Sequence, residues 1–119
     1  MRTATIRICK TDESMATIRA GFAAAWQGGD YQGEHFDFET PAALFRVLTP
    51  KRWDLIECLQ KNGPLGVRPL ARALGRGVHR VHDDAAALIE VGIVEKTGDG
   101  KLVVPFSEIR ADFVMRAAA

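Results

Sequence analysis

Cysteine, long apolar runs and excess charge of either sign are all scarce in this chain of 119 residues. The two cysteines, Cys9 and Cys58, are too few and too far apart in sequence to form a disulfide framework or a zinc knuckle, so both read as ordinary buried or half-buried thiols. The longest apolar run, Gly21 to Trp26, falls far short of the ~20 residues that span a bilayer. The N-terminus lacks the charged and apolar regions of a signal peptide, and the expected location is the cytoplasm. A Gly-rich phosphate loop, a nucleophile elbow and a carboxylate pair in a polar cleft are also missing. No enzymatic role, cofactor or catalytic residue is therefore expected.

What remains is a chain of 47% hydrophobic residues. Such a length suits one soluble domain, 1–119, which buries roughly two-thirds of the surface of its unfolded form around one core. The net charge of +1 gives no sign of a nucleic-acid partner, but the average hides a pattern. Residues 61 to 82 carry Lys61, Arg68, Arg72, Arg76 and Arg80 and no acid, while acids outnumber bases in residues 1 to 50 and again from Asp83 onward. A cationic centre lies inside a mildly acidic frame.

Hydrophobic periodicity orders the chain. Thr3 to Lys10 alternates, with Ile6 and Ile8 on one face, as does Glu34 to Glu39, with Phe36 and Phe38 inward; both predict strands. Between them, Met15, Ile18, Phe22 and Trp26 recur at helical spacing up to a stop at Gly28-Gly29. Two Thr-Pro steps, Thr40-Pro41 and Thr49-Pro50, each pair a capping hydroxyl with a proline at the first helical position. The first helix carries Leu44, Phe45 and Leu48. The second carries Trp53, Ile56, Leu59 and Cys58 and ends at Asn62-Gly63-Pro64. A third spans about Arg68 to Leu74 with Gly75 as its cap.

A fourth helix runs from near Gly77 to Val91 with its apolar stripe on Val78, Val81, Ala85 and Leu88, and Gly92 stops it. Ile93 to Lys96 and Lys101 to Val104 read as a hairpin about Thr97-Gly98-Asp99-Gly100. Ile109, Ala111 and Phe113 alternate in a last strand. The expected fold is α+β, a winged helix-turn-helix with three helices and a β-hairpin wing over 41–105. Residues 1–40 form a strand-helix-strand extension suited to dimerisation or partner binding, and 106–119 form a C-terminal strand and tail.

In such a unit the helix after the tight turn lies in the DNA major groove. At about 100° per residue, the face opposite the stripe carries Arg76, His79, Arg80, Asp83, Ala87 and Glu90. Arg76 and Arg80 are the base-reading candidates, because a guanidinium can grip guanine O6 and N7 with two bonds. His79 can meet a base or a phosphate. Arg68 and Arg72 suit phosphates, which set register without reading sequence. Lys96 and Lys101 flank the wing tip. Arginines at spacing four also occur on merely solvated faces, and hairpin lysines also serve solubility. A metal at His79, His82 and Asp83 lacks further ligands, and His82 is expected near the core flank, so no metal is expected.

The pieces Leu48-Thr49-Pro50-Lys51-Arg52, Leu70-Ala71-Arg72-Ala73-Leu74-Gly75-Arg76, Val78-His79-Arg80-Val81-His82-Asp83-Asp84 and Leu88-Ile89-Glu90-Val91-Gly92-Ile93-Val94-Glu95 together resemble the MarR-like winged helix-turn-helix regulators and antitoxins of prokaryotic toxin–antitoxin loci. The resemblance implies a DNA-binding protein that represses its own operon and pairs with a toxin protein, in some relatives of the TumE-like type; with the basic, acid-free block, the expected form is a homodimer on a two-fold double-stranded operator. The resemblance also implies a DNA face of Arg76, Gly77, His79, Arg80 and Asp83. The chain departs from that pattern at Val67-Arg68-Pro69, where a proline replaces a polar helix residue and bears on any contact from Arg68. A different reading is a stand-alone repressor that responds to a small molecule bound near Trp26, Phe36 and Trp53.

Overall fold

Each Thr-Pro step starts a helix. Thr40 Oγ1 accepts from the Ala43 N–H at 3.0 Å and Thr49 Oγ1 from the Arg52 N–H at 3.4 Å, so each hydroxyl satisfies a first-turn donor three residues on,. These contacts come from a computed structural model, which describes residues 2–9 and 33–117. Its elements are β1 (Arg2–Ile8), β2 (Glu34–Phe38), α1 (Pro41–Val47), α2 (Pro50–Asn62), α3 (Val67–Leu74), α4 (Val78–Val91), β3 (Glu95–Lys96), β4 (Leu102–Val103) and β5 (Phe106–Asp112). The chain is α+β. No helix among the described residues is long and apolar enough to cross a membrane. The expected helix carrying Met15, Ile18, Phe22 and Trp26 lies outside the described residues.

Where the length predicts one core, residue contacts group into two units: Met1–Leu44 with Glu108–Ala119, and Phe45–Ser107. The first unit holds a sheet in the order β2-β1-β5. β1 and β2 run parallel, with Ile6 opposite Phe36 and Ile8 opposite Phe38. Ala4 and Ile6 are buried, and Ile8 is only half-buried. Along the pair, Arg7 grips Asp37 with two bonds of 2.9 and 3.1 Å, and Arg2 grips Glu34 with bonds of 3.1 and 2.7 Å. Ahead of β2, Gly33 has a φ of 88°, and a Cβ there would lie 2.7 Å from Thr3 Oγ1. Only glycine lets the two strands approach at that point.

The second unit packs α2, α3 and α4 around Leu55, Ile56, Leu59, Leu70, Ala71, Val81, Ala85 and Leu88, with Leu48, Ile93, Val94, Leu102, Val104 and Phe106 closing the core. Burying each of the larger aliphatic side chains contributes about 1.5–3 kcal/mol. Pro69 sits in the first turn of α3, where it displaces no helical donor, and the helix runs its expected length,.

β4 pairs antiparallel with β3 on one side. On the other, Leu65 exchanges two backbone bonds with Leu102, at 3.0 and 2.7 Å. Gln60 Nε2 donates to the Phe106 carbonyl at 3.2 Å and ties the start of β5 to α2.

Several expected positions differ. Phe45 and Val78 are exposed. In α2, Leu55 takes the core place expected of Trp53, which is half-buried. The last strand begins at Phe106 and ends at Asp112, so Ala111 is exposed and Phe113 falls beyond the strand. Core alternation fails there because only Phe106 of β5 is buried.

Candidate nucleic-acid interface

The turn between α3 and α4 is built from backbone bonds around glycine. Gly75 takes the left-handed conformation, φ 65° and ψ 35°. Its N–H donates to the Arg72 carbonyl at 3.2 Å, and the Arg76 N–H donates to the Ala71 carbonyl at 3.0 Å. This pair of bonds is the Schellman pattern that glycine favours at a helix end. Gly77 then enters α4 in an extended conformation, with no side-chain cap among the described residues and no acid in the first turn. The leading N–H groups of a 14-residue helix are thus left for an external acceptor, and the dipole favours an anion there.

Beside this turn sits a three-residue ionic network. Asp84 receives Arg76 Nη2 at 2.6 Å and Arg52 Nε at 3.1 Å. Arg52 also reaches back with Nη1 to the Val47 carbonyl at 2.7 Å. Burial by itself would raise the Asp84 pKa, but the bonds from Arg76 and Arg52, aided by their charges, outweigh it and hold the carboxyl below 3.8,. The network clamps α2, the α3–α4 turn and the second turn of α4 together.

Arg76 therefore does not lie on the exposed face expected of it. Its side chain is 16% exposed, and Nε and Nη1 are buried without a partner among the described residues. The neighbouring acids Asp83 and Asp84 also part. The Asp83 side chain is 83% exposed and the Asp84 side chain 16%. His82 is exposed rather than near the core flank, and its Nδ1 lies 3.7 Å from Asp83 Oδ1.

The other candidates are accessible. His79, Arg80 and Asp83 are exposed on α4, as are Arg68 and Arg72 on α3, and Lys96 and Lys101 on either side of the hairpin tip. At the tip, the Thr97 N–H bonds the Lys101 carbonyl at 2.7 Å and the Lys101 N–H bonds Thr97 Oγ1 at 3.0 Å. The Thr97 hydroxyl also donates to Asp99, and that bond lowers the Asp99 pKa. Lys101 Nζ lies 3.9 Å from Asp99 Oδ2.

Sequence periodicity missed two residues here. Lys51, in the first turn of α2, joins Thr49, Arg76, Arg80, Asp83 and Asp84 around an open depression of about 320 Å³. Arg52 is the second cation on Asp84. Lys51 was legible in the Thr-Pro-Lys start of the helix, whereas Arg52 depends on a contact 32 positions away in sequence.

Among the described residues, no group of three or more His, Cys, Asp or Glu gathers as metal ligands do. Of the residues expected around a small molecule, Trp26 lies outside the described residues, and Phe36 and Trp53 fall in different units.

A family model matches residues 47–111, more than half of the chain. The chain belongs to the HVO_A0114 family. The HVO_A0114 match begins at the last residue of α1 and ends within β5. It spans Arg68, Arg72, Arg76, Gly77, His79, Arg80, Asp83, Lys96 and Lys101 together. No curated protein and no solved structure matches the chain significantly.

Proposed function

We propose that this HVO_A0114 protein is a winged helix-turn-helix transcriptional regulator of the cytoplasm, which binds operator DNA as a homodimer and represses its own operon. The observation that carries the reading is the short α3–α4 turn, which leaves the first turn of α4 uncapped and His79 and Arg80 exposed. A helix with this end fits the major groove. The placement of Leu65 beside the β3–β4 hairpin supports the wing.

In this reading Arg80 grips guanine O6 and N7, His79 meets a neighbouring base or phosphate, and Asp83 accepts from a cytosine amino group. Gly77 lets the backbone come close to a phosphate. Arg68 and Arg72 hold phosphates from α3, Lys51 does so from the start of α2, and Lys96 and Lys101 hold the adjacent backbone from the wing. Arg76 acts from within by fixing the pitch of α4. The likeness to MarR-type antitoxin regulators supports a second role, in which the same operon encodes a toxin that this protein binds and silences.

The test is a gel-shift assay at fixed salt with the DNA upstream of the protein's own gene. The full chain retards this DNA, and His79→Ala with Arg80→Ala abolishes the shift while circular dichroism stays unchanged. An unaltered shift would remove α4 as the reading element. For the second role, co-expression with the neighbouring open reading frame gives a stable complex and restores growth; absence of both rules out the antitoxin role.

A further inference from the structure

Among the described residues, β5 is the outer strand of the first unit's sheet. β5 pairs with β1 on one side, and no described strand lies on its other side. Directly beyond the strand come three exposed apolar side chains, Phe113 at 37%, Val114 at 70% and Met115 at 78% exposure. An outer strand continued by exposed apolar chain is a template for another strand. Charges usually block such edges, but here they alternate in sign: Glu108, Arg110 and Asp112 share one face of β5,. Glu108 and Arg110 lie 3.6 Å apart with side chains 63% and 69% exposed, so both can turn to other partners.

We propose that this edge pairs antiparallel with β5 of a second copy, centred on Ile109. The strand bounds and the charges together select the register: Ile109 is the middle residue of β5, whereas the other charge-matched register, Arg110 against Asp112, pairs only residues 110–112 of the strand,. With Ile109 at the centre, Glu108 of each copy faces Arg110 of the other, giving two favourable cross-strand pairs. A shift of two residues toward the C-terminus sets Arg110 against Arg110 and Glu108 against Asp112. A shift of two the other way sets Glu108 against Glu108. Any odd shift places the charged face of one strand beside the uncharged face of the other.

The opposite edge of the sheet is less suited. β2 carries Glu34 and Asp37 with no Lys or Arg, and Arg2 and Arg7 already occupy those acids. Antiparallel pairing of one segment with its own copy generates a closed two-fold dimer. This surface extends the proposed regulator, which needs two copies on a two-fold site, yet its test needs no DNA, so either idea can fail alone.

The experiment is sedimentation equilibrium on the full chain and its variants, with circular dichroism as the folding control. The wild type sediments at twice 13.0 kDa. Glu108→Arg and Arg110→Glu each weaken the dimer about tenfold or more, because each sets like charges opposite one another. Mixing the two variants restores a one-to-one dimer, since the charges again match, and the double variant Glu108→Arg with Arg110→Glu also self-associates. A monomeric wild type, single variants that dimerise as the wild type does, or a mixture that stays monomeric would each overturn the proposal.

Discussion

The turn before α4 and the first turn of α4 carry the same side chain four positions apart, and the protein uses the two differently. Arg76, outside the helix, turns inward to Asp84 and is largely shielded. Arg80, inside it, stands in solvent. The next two acids repeat the contrast, with Asp83 outward and Asp84 inward. Basic side chains at helical spacing are thus not one surface: a residue before the cap takes its direction from the turn, and a residue after it from the helix.

This contrast predicts two separable classes of variant. The largest effect belongs to the inner site. Asp84→Ala leaves Arg52 and Arg76 without their shared counter-ion and costs about 2–4 kcal/mol of stability in urea unfolding. The outer site behaves in the opposite way. Arg80→Ala changes stability by less than about 0.5 kcal/mol; on the proposed function it weakens operator binding by about 1–3 kcal/mol, read by titration at fixed salt. Equal losses of stability in the two variants would erase the distinction.

At the β3–β4 hairpin, the proposed DNA contact predicts that Lys96→Ala with Lys101→Ala lowers the log–log salt slope of binding by about 2 and weakens all DNA sequences alike. The inner site also has an acid limb. Because the Asp84 pKa is held below 3.8 in the folded chain, its stabilisation is fully present above that value and lost as pH falls through the lowered one. Asp84→Asn removes that limb from the acid-unfolding profile. The smallest effect is Asp83→Asn, which shifts stability by less than about 0.5 kcal/mol because the carboxylate is bathed in water.

Much of this was legible in residue order. Thr40-Pro41 and Thr49-Pro50 mark helix starts, and Gly63, Gly75 and Gly92 mark ends, because caps act within a few residues,. Val81, Ala85 and Leu88 showed the inner stripe of α4. Arg76 was misplaced because counting about 100° per residue holds only inside a helix, and Arg76 precedes the extended Gly77,. Its partner was hidden for another reason: Asp84 is chosen by the packing of α4 against α2, which local periodicity does not encode. Val78 fails as a core residue on the same ground, since it is the first helical residue and the stripe is only half formed there.

The order of strands in the first unit bears on how the chain comes into being. β1 holds residues 2–8 and lies beside β5, residues 106–112, while residues 45–107 form a continuous stretch of their own. During synthesis the second unit is available to fold as one uninterrupted segment, but the sheet of the first lacks β5 until that segment has been made,. β1 therefore leaves the ribosome well before the strand that completes its pairing. Until then β1 has an open edge beside β2, at which wrong pairing can occur,.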